Sequence, residues 1–327
     1  MIEVQNLTKR YGPVTAVRDV SFHVAPGEIV GFLGPNGAGK TTTMRILACF
    51  MPATGGSARV AGYDVFTQSM EVRRRIGYLP ENVPLYSDMR VEPYLDFVAE
   101  VKGVPRAARR RQVGEAMERC LIADVRNRLI GTLSKGYRQR VGIAQAIVND
   151  PHVLILDEPT IGLDPKQITE IRSLIKSLAG AHTVILSTHI LPEVSMVCSG
   201  VIIIHKGAIV AQGPIDTLVE QFFPTARVEV HIVGPAAGVR DGMRRIAGVL
   251  EVQEGTAADG VGTYVVEAPR GRDVRAEIFQ LAAQQKWELR ELRRVGMTLE
   301  EVFIRVVAGE EEPAEDLAGT KPEGSTP

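Results

Sequence analysis

The chain has 327 residues, 45% of them hydrophobic and 24% charged, with a formal net charge of −1. That length exceeds one ordinary core and predicts two domains, and a charge so near neutral excludes a bulk polyelectrolyte partner, so no nucleic acid is expected. No apolar run approaches the roughly 20 residues needed to span a bilayer, Met1-Ile2-Glu3-Val4 is not a basic-then-apolar leader, and Cys49, Cys120 and Cys198 lack metal-ligand spacing and read as reduced core thiols.

Residues 2–8 and 20–24 alternate as strands do, with turn signals at Gly12-Pro13 and Pro26-Gly27. Tyr11, beside the first turn, is expected to be exposed. Its ring can serve as packing or can stack on a purine, with Val17 as a second apolar surface, and stacking would not tell adenine from guanine because every base has a π-face. The apolar run Glu28 to Leu33 then leads into Gly34-Pro35-Asn36-Gly37-Ala38-Gly39-Lys40-Thr41 and a helical pattern from Thr42 to Phe50. Strand, glycine loop and helix are the context in which G-x-x-x-x-G-K-[ST] binds phosphate. The glycines let backbone N–H groups turn inward around an anion, and the helix N-terminus adds partial positive charge. Lys40 then reaches the β- and γ-phosphates, and the Thr41 hydroxyl ligates Mg²⁺.

Ala58 to Val65 reads as a strand, and Ile76 to Asn82 as an apolar strand ending at Pro80 and Glu81. Arg90 to about Val148 is helical in pattern, with Val91, Leu95, Val98 and Lys102 on one face and Tyr94 and Val101 beside it. Arg106, Arg109, Arg110 and Arg111 form a basic cluster, read as a solvated face in preference to a lipid contact. At Leu133-Ser134-Lys135-Gly136-Tyr137 a helix opens; Ser134 and Gly136 there make either a plain N-cap or a second phosphate contact. Val153 to Leu156 suits a parallel strand covered on both faces and ends in Asp157-Glu158. Asp157 can hold magnesium through water, and Glu158 can orient or deprotonate an attacking water. Asp164 lies in the next turn, and Thr183 to His189 repeats the design, with His189 in reach of a γ-phosphate.

In this order the motifs resemble the nucleotide-binding subunit of ATP-binding cassette (ABC) transporters, over roughly residues 1–220. GPNGAGKTT is similar to that family's Walker A, so the resemblance implies that Asn36, Gly37, Ala38, Gly39, Lys40, Thr41 and Thr42 hold ATP. VLILDE resembles Walker B with its catalytic glutamate, LSKGY stands at the LSGGQ signature, Gly162-Leu163-Asp164 at the D-loop, His189 at the switch histidine and Tyr11 at the adenine-stacking aromatic. Glu81 replaces the Q-loop glutamine, and Lys135 and Tyr137 replace a glycine and a glutamine of the signature. The resemblance implies an α/β P-loop cassette with a parallel-sheet core, an antiparallel β edge and a helical subdomain at about 84–150. It implies Mg²⁺ on Thr41, Asp157 and Glu81, with hydrolysis at Glu158 and His189. It further implies a head-to-tail sandwich in which Ser134, Gly136 and Asp164 of one copy close over ATP held by the other, as a homodimer or with a similar cassette. The subfamily drives a separate integral-membrane permease of the ABC-2 export type, which would hold the protein on the cytoplasmic face of the membrane. The alternative is a soluble ABC ATPase acting on ribosomes or DNA; those groups carry two cassettes or an inserted coiled coil, and neither is visible in this sequence.

The cassette is expected to span 1–223. In 224–308 the strand and helix patterns follow a β-α-β-β-α-β order, predicting a small ferredoxin-like α+β accessory domain without chemistry of its own. Thr298-x-x-Glu301 reads as a capping box with Val302, Phe303 and Val306 inward. Residues 309–327, acidic and rich in proline and glycine, are expected to be disordered.

Overall fold

A computed structural model describes residues 1–223, 225–255, 260–296 and 298–309. Contacts divide the chain into two units, built on Met1–Ile215 and on Asp216–Arg305.

The first unit opens with a hairpin of β1 (Ile2–Tyr11) and β2 (Val14–Val24), followed by β3 (Ile29–Leu33) and α1 (Lys40–Leu47). Next come β4 (Gly55–Val60), β5 (Tyr63–Asp64), α2 (Ser69–Arg75) and β6 (Ile76–Leu79), then a run of helices, α3 (Val91–Val101), α4 (Arg106–Arg119) and α5 (Lys135–Ile147). The chain returns through β7 (Val153–Asp157), α6 (Pro165–Ser177), β8 (Thr183–Thr188), α7 (Leu191–Val197), β9 (Gly200–His205) and β10 (Ala208–Pro214), and α8 (Ile215–Phe222) spans the division.

A parallel sheet runs β9-β3-β8-β7-β6, with β10 antiparallel on β9 at its edge. Its central strands β3, β7 and β8 are buried along their whole length, as β-branched and leucine-rich strands covered on both faces must be. β2-β1-β4-β5 form a separate antiparallel sheet. Register aligns Leu33 with Thr188 and Asp157 with Ser187, so three parallel strands end side by side at one edge. That carboxyl-end crevice is where such sheets bind ligands.

Two local expectations are corrected. Ala58 to Val65 is not one strand: Ala61 and Gly62 have φ of 52° and 84° and fold the chain back as β4 and β5. The long helical pattern is three helices, and on α3 the buried residues are Val91, Tyr94, Leu95 and Ala99, while Val101 is 69% exposed. Val101 lies on the flank of this stripe, two turns beyond Tyr94, and is the last residue of the helix. Lys102 donates to the carbonyls of Arg73 and Ile76. The cysteines are free thiols; burial pushes Cys49 up to about 11 and Cys120 and Cys198 to about 12, which leaves them inert.

The second unit contains β11 (Thr225–Val233), α9 (Ala236–Arg244), β12 (Glu251–Glu254), β13 (Gly262–Pro269), α10 (Arg275–Gln285) and β14 (Glu288–Val295), and α11 (Leu299–Gly309) follows. Its sheet has the order β12-β13-β11-β14 with every pair antiparallel, the split βαβ topology of a ferredoxin-like domain. Val228, Val230 and Ile232 alternate inward against Val239, Met243 and Ile278. The capping box is present: Thr298 N donates to Glu301 Oε2 at 2.8 Å and Glu301 N to Thr298 Oγ1 at 3.3 Å. The division falls after Ile215, ahead of the boundary expected at Pro224. Arg305 donates to the Phe222 carbonyl at 2.8 Å, and the Phe223 ring receives the guanidinium groups of Arg227 and Arg305, which joins the end of α8 to this unit. Residues 310–327 of the tail expected to be disordered lie outside the described residues.

Candidate active site

The loop between β3 and α1 is shaped by its glycines. Gly39 has φ 109° and N-caps α1, and a Cβ there would lie 2.5 Å from the Ala16 carbonyl, so no other residue fits. No side chain caps this helix and no acidic residue occupies its first turn, which leaves its N-terminal N–H groups to an anion. Gly37, with φ 80°, has open space where a Cβ would stand, so its backbone is bare toward the cleft.

Lys40 is buried, and its Nζ donates to the carbonyls of Gly34 at 2.8 Å and Pro35 at 3.2 Å. Burial lowers its pKa, against the opposing pull of Glu158, Asp157 and Glu81. At the end of β7 Asp157 is fully buried. Its Oδ1 accepts from Thr41 Oγ1 at 3.3 Å and from the Ser187 hydroxyl, and its Oδ2 has no partner. Burial raises the Asp157 pKa and Glu81 adds to the rise, while the two hydroxyls oppose it. One hydroxyl and one carboxylate with a spare buried oxygen fit Mg²⁺, a hard cation that takes few protein ligands and completes its shell with water and phosphate. Among the described residues no group of three or more His, Cys, Asp or Glu gathers to cage a metal by protein alone.

Glu158 takes φ 50°, a left-handed conformation costing roughly 1–2 kcal/mol in a non-glycine residue. The kink turns its carboxylate back over the loop, 3.8 Å from Lys40 Nζ and 2.9 Å from His189 Nδ1. Asn36, Gly37, Gly39, Lys40, Thr41, Thr42, Glu81, Glu158 and His189 thus line one cleft of about 490 Å³, joined by Ala16 and Ile161.

A cleft of this make matches known proteins. Residues 17–161 match the family model described as ABC transporter. The ABC transporter ATP-binding protein NatA of Bacillus subtilis (strain 168) is 37% identical over 226 residues, covering 67% of this chain and 92% of the relative. The Nod factor export ATP-binding protein I of Paraburkholderia xenovorans (strain LB400) is 34% identical over 310 residues, covering 94% and 97%. This chain belongs to the ABC transporter ATP-binding family. A dimeric structure of MJ0796, a bacterial ABC transporter cassette, superposes with a TM-score of 0.61 at 25% identity, covering 65% of this chain and 98% of that one. The fold is therefore the P-loop ABC cassette and the activity that of an ATPase.

The remaining ABC motifs stand outside the cleft. Ser134 N-caps α5, accepting from Tyr137 N at 3.4 Å, and Asp164 N-caps α6, accepting from Gln167 N at 2.9 Å. The two caps are packed together: a Cβ on Gly136 would meet the Gln167 side chain at 2.6 Å, and the Lys135 ammonium lies against Gly162. Tyr137 donates to Asp124 Oδ2 at 2.9 Å. Ala38 is buried and gives its carbonyl to Gly207 N at 3.1 Å. Tyr11 is 45% exposed and donates to Met51 Sδ. Val17, expected to offer a second apolar surface, is fully buried beside Gly39 and offers none, because β2 packs it under the phosphate loop. Sequence reasoning passed over Ser187; its signal is a hydroxyl inside a fully buried strand, in register with Asp157.

Proposed function

We propose that this protein is the ATP-hydrolysing subunit that drives a separate membrane permease of the export type, and that two copies close around ATP. The observation that carries this reading is the separation within one chain of the Lys40–Glu158–His189 cleft from the Ser134–Gly136 turn, which opens a helix yet lines no part of that cleft. A second copy arranged head to tail supplies the missing wall. The dimeric cassette that this fold resembles and the export relative matched along nearly its whole length support the two halves of the proposal.

In the closed pair the loop N–H groups, Lys40 and the N-terminus of α1 hold the phosphates. Thr41, Asp157 and Glu81 would hold Mg²⁺, which when bound neutralises charge on the phosphate oxygens. The Glu158 carboxylate orients the attacking water and takes its proton, and His189 fixes that carboxylate and the γ-phosphate side of the cleft. Ser134 and Gly136 of the second copy donate to the γ-phosphate, so hydrolysis removes the contacts that hold the copies together.

A second groove, of about 820 Å³, supports the permease as partner. Phe50, Met70, Val98 and Val101 give it an apolar wall and Arg45, Arg73, Arg74 and Lys102 a basic rim, suited to a short amphipathic segment with acidic ends. Among the described residues no helix is long and apolar enough to cross a membrane, and docking through this groove would hold the protein on the cytoplasmic face. Affinity purification from detergent-solubilised membranes tests the reading. A co-eluting polytopic membrane protein that stimulates ATP hydrolysis supports it; elution with ribosomes or DNA alone overturns it in favour of a soluble ABC ATPase.

A further inference from the structure

Beside the catalytic pair runs a second, buried link between the same two segments. Glu158 is followed by Pro159 and Thr160. The Pro159 carbonyl accepts from Gln139 Nε2 of α5 at 2.8 Å, and Gln139 is 5% exposed. Thr160, 2% exposed, donates its hydroxyl to Glu193 Oε2 at 2.7 Å. Glu193 sits on α7, is itself 2% exposed, and uses Oε1 to accept from Arg172 Nη2 of α6 at 3.2 Å. A carboxylate so buried persists only when paired and hydrogen-bonded, and both oxygens of this one have a partner. Neither Thr160 nor Glu193 lines the nucleotide cleft.

The spacing gives the link its meaning. His189 precedes α7 (Leu191–Val197), which carries Glu193. Glu158 and Thr160 share one turn. That turn and the α7 segment are therefore joined twice, by Glu158 with His189 at the cleft and by Thr160 with Glu193 beneath it. The upper contact is half exposed at His189; the lower one is buried on both sides.

We propose that Glu193 is a positioning residue for ATP hydrolysis: through Thr160 it registers α7, and with it His189, against a turn that Gln139 has already anchored. This rests on Glu158 and His189 carrying the chemistry. Glu193 touches no phosphate, so its loss moves the catalytic groups without removing a binding contact.

The experiment measures steady-state ATP hydrolysis and nucleotide affinity in the full-length protein for Thr160→Val, Thr160→Ser, Glu193→Gln and Glu158→Gln, with thermal melting as a folding check. Thr160→Val keeps the side-chain shape, removes the hydroxyl and leaves Glu193 paired with Arg172. It is expected to lower kcat about tenfold, since misplacing a catalytic group by about 1 Å costs up to about 10²-fold, with KM changed by less than about twofold. Thr160→Ser restores the donor and is expected to bring kcat back to within about twofold of wild type. Glu193→Gln keeps the volume and gives a second route to the same readout, and the Thr160→Val, Glu193→Gln double variant is expected to be no slower than the slower single one. Wild-type kcat in folded Thr160→Val, equal slowing by Val and Ser, or a loss confined to KM would overturn the role. If Glu158→Gln hydrolyses ATP normally, the underlying catalytic assignment fails; if Glu158→Gln is inert while Thr160→Val is normal, the positioning role alone fails.

Discussion

His189 Nδ1 stands 2.9 and 3.0 Å from the two carboxylate oxygens of Glu158. The pair meets because β7 and β8 are parallel neighbours whose ends lie side by side, and Glu158 and His189 each come directly after the last residue of their strand. The left-handed turn at Glu158 points the carboxylate across at the imidazole. A contact made by two ends of one sheet is preorganised, which is what transition-state stabilisation needs.

Replacing Glu158 by Gln keeps the shape and removes the charge that orients and deprotonates water. ATP binding is expected to survive while hydrolysis falls by roughly 10²–10⁴-fold. Size-exclusion chromatography with ATP and Mg²⁺ is expected to show an accumulated dimer, and unchanged phosphate release from a monomer would refute the role.

Asp157 gives a dependence on pH. Its pKa in the folded protein is raised, chiefly by burial. Folding therefore works against its ionised form: the cost is complete above the raised value, shrinks as pH falls through it, and is gone below the unfolded value of about 3.9. Asp157→Asn removes that cost, so nucleotide-free protein is expected to melt at a higher temperature than wild type at pH 7 to 8, with the difference vanishing toward about pH 4. Hydrolysis is expected to fall at least about 10²-fold, since Asp157 is a proposed magnesium ligand. Differential scanning fluorimetry across pH checks the sign; a lower melting temperature at pH 8 contradicts it.

The groove beside α3 is separable from the chemistry. Val101 is 69% and Phe50 70% exposed, and neither lines the nucleotide cleft. Val101→Glu puts an anion among the basic residues' intended partners and is expected to weaken permease co-purification about tenfold or more, the loss of one buried anchor in an interface. ATP hydrolysis by the isolated protein should stay within about twofold. Equal recovery of the permease would remove this groove as its docking surface.

Much of the site was legible in the sequence because phosphate chemistry demands particular residues at fixed local spacing. Lys40 and Thr41 follow their glycine loop directly, and Asp157 and Glu158 end an apolar strand. The parallel core was legible for the same reason, since a strand buried on both faces leaves a continuous apolar run. Val17 and Val101 were not, because whether a valine faces core or solvent depends on neighbours far along the chain. Thr160 and Glu193 were invisible for a related reason: they lie 33 positions apart, and no short pattern announces the hydrogen bond between them. For Ser134 the sequence left two readings, and a single chain holds it as an N-cap; the phosphate reading belongs to the proposed dimer.

That sharing of one site between two chains is tested most directly by mixing two inactive variants. Lys40→Ala removes the phosphate lysine from its own cleft, and Ser134→Arg puts a bulky cation where a hydroxyl must meet the partner's γ-phosphate. Each alone is expected to lose hydrolysis by at least about 10²-fold, with nucleotide affinity of the Ser134→Arg protomer nearly unchanged. A mixed dimer holds one intact site, built from the phosphate loop of the Ser134→Arg copy and the Ser134 turn of the Lys40→Ala copy. The expected result is partial recovery of phosphate release on mixing, rising with the fraction of mixed dimer. Normal hydrolysis by folded Ser134→Arg protein on its own would contradict the shared site.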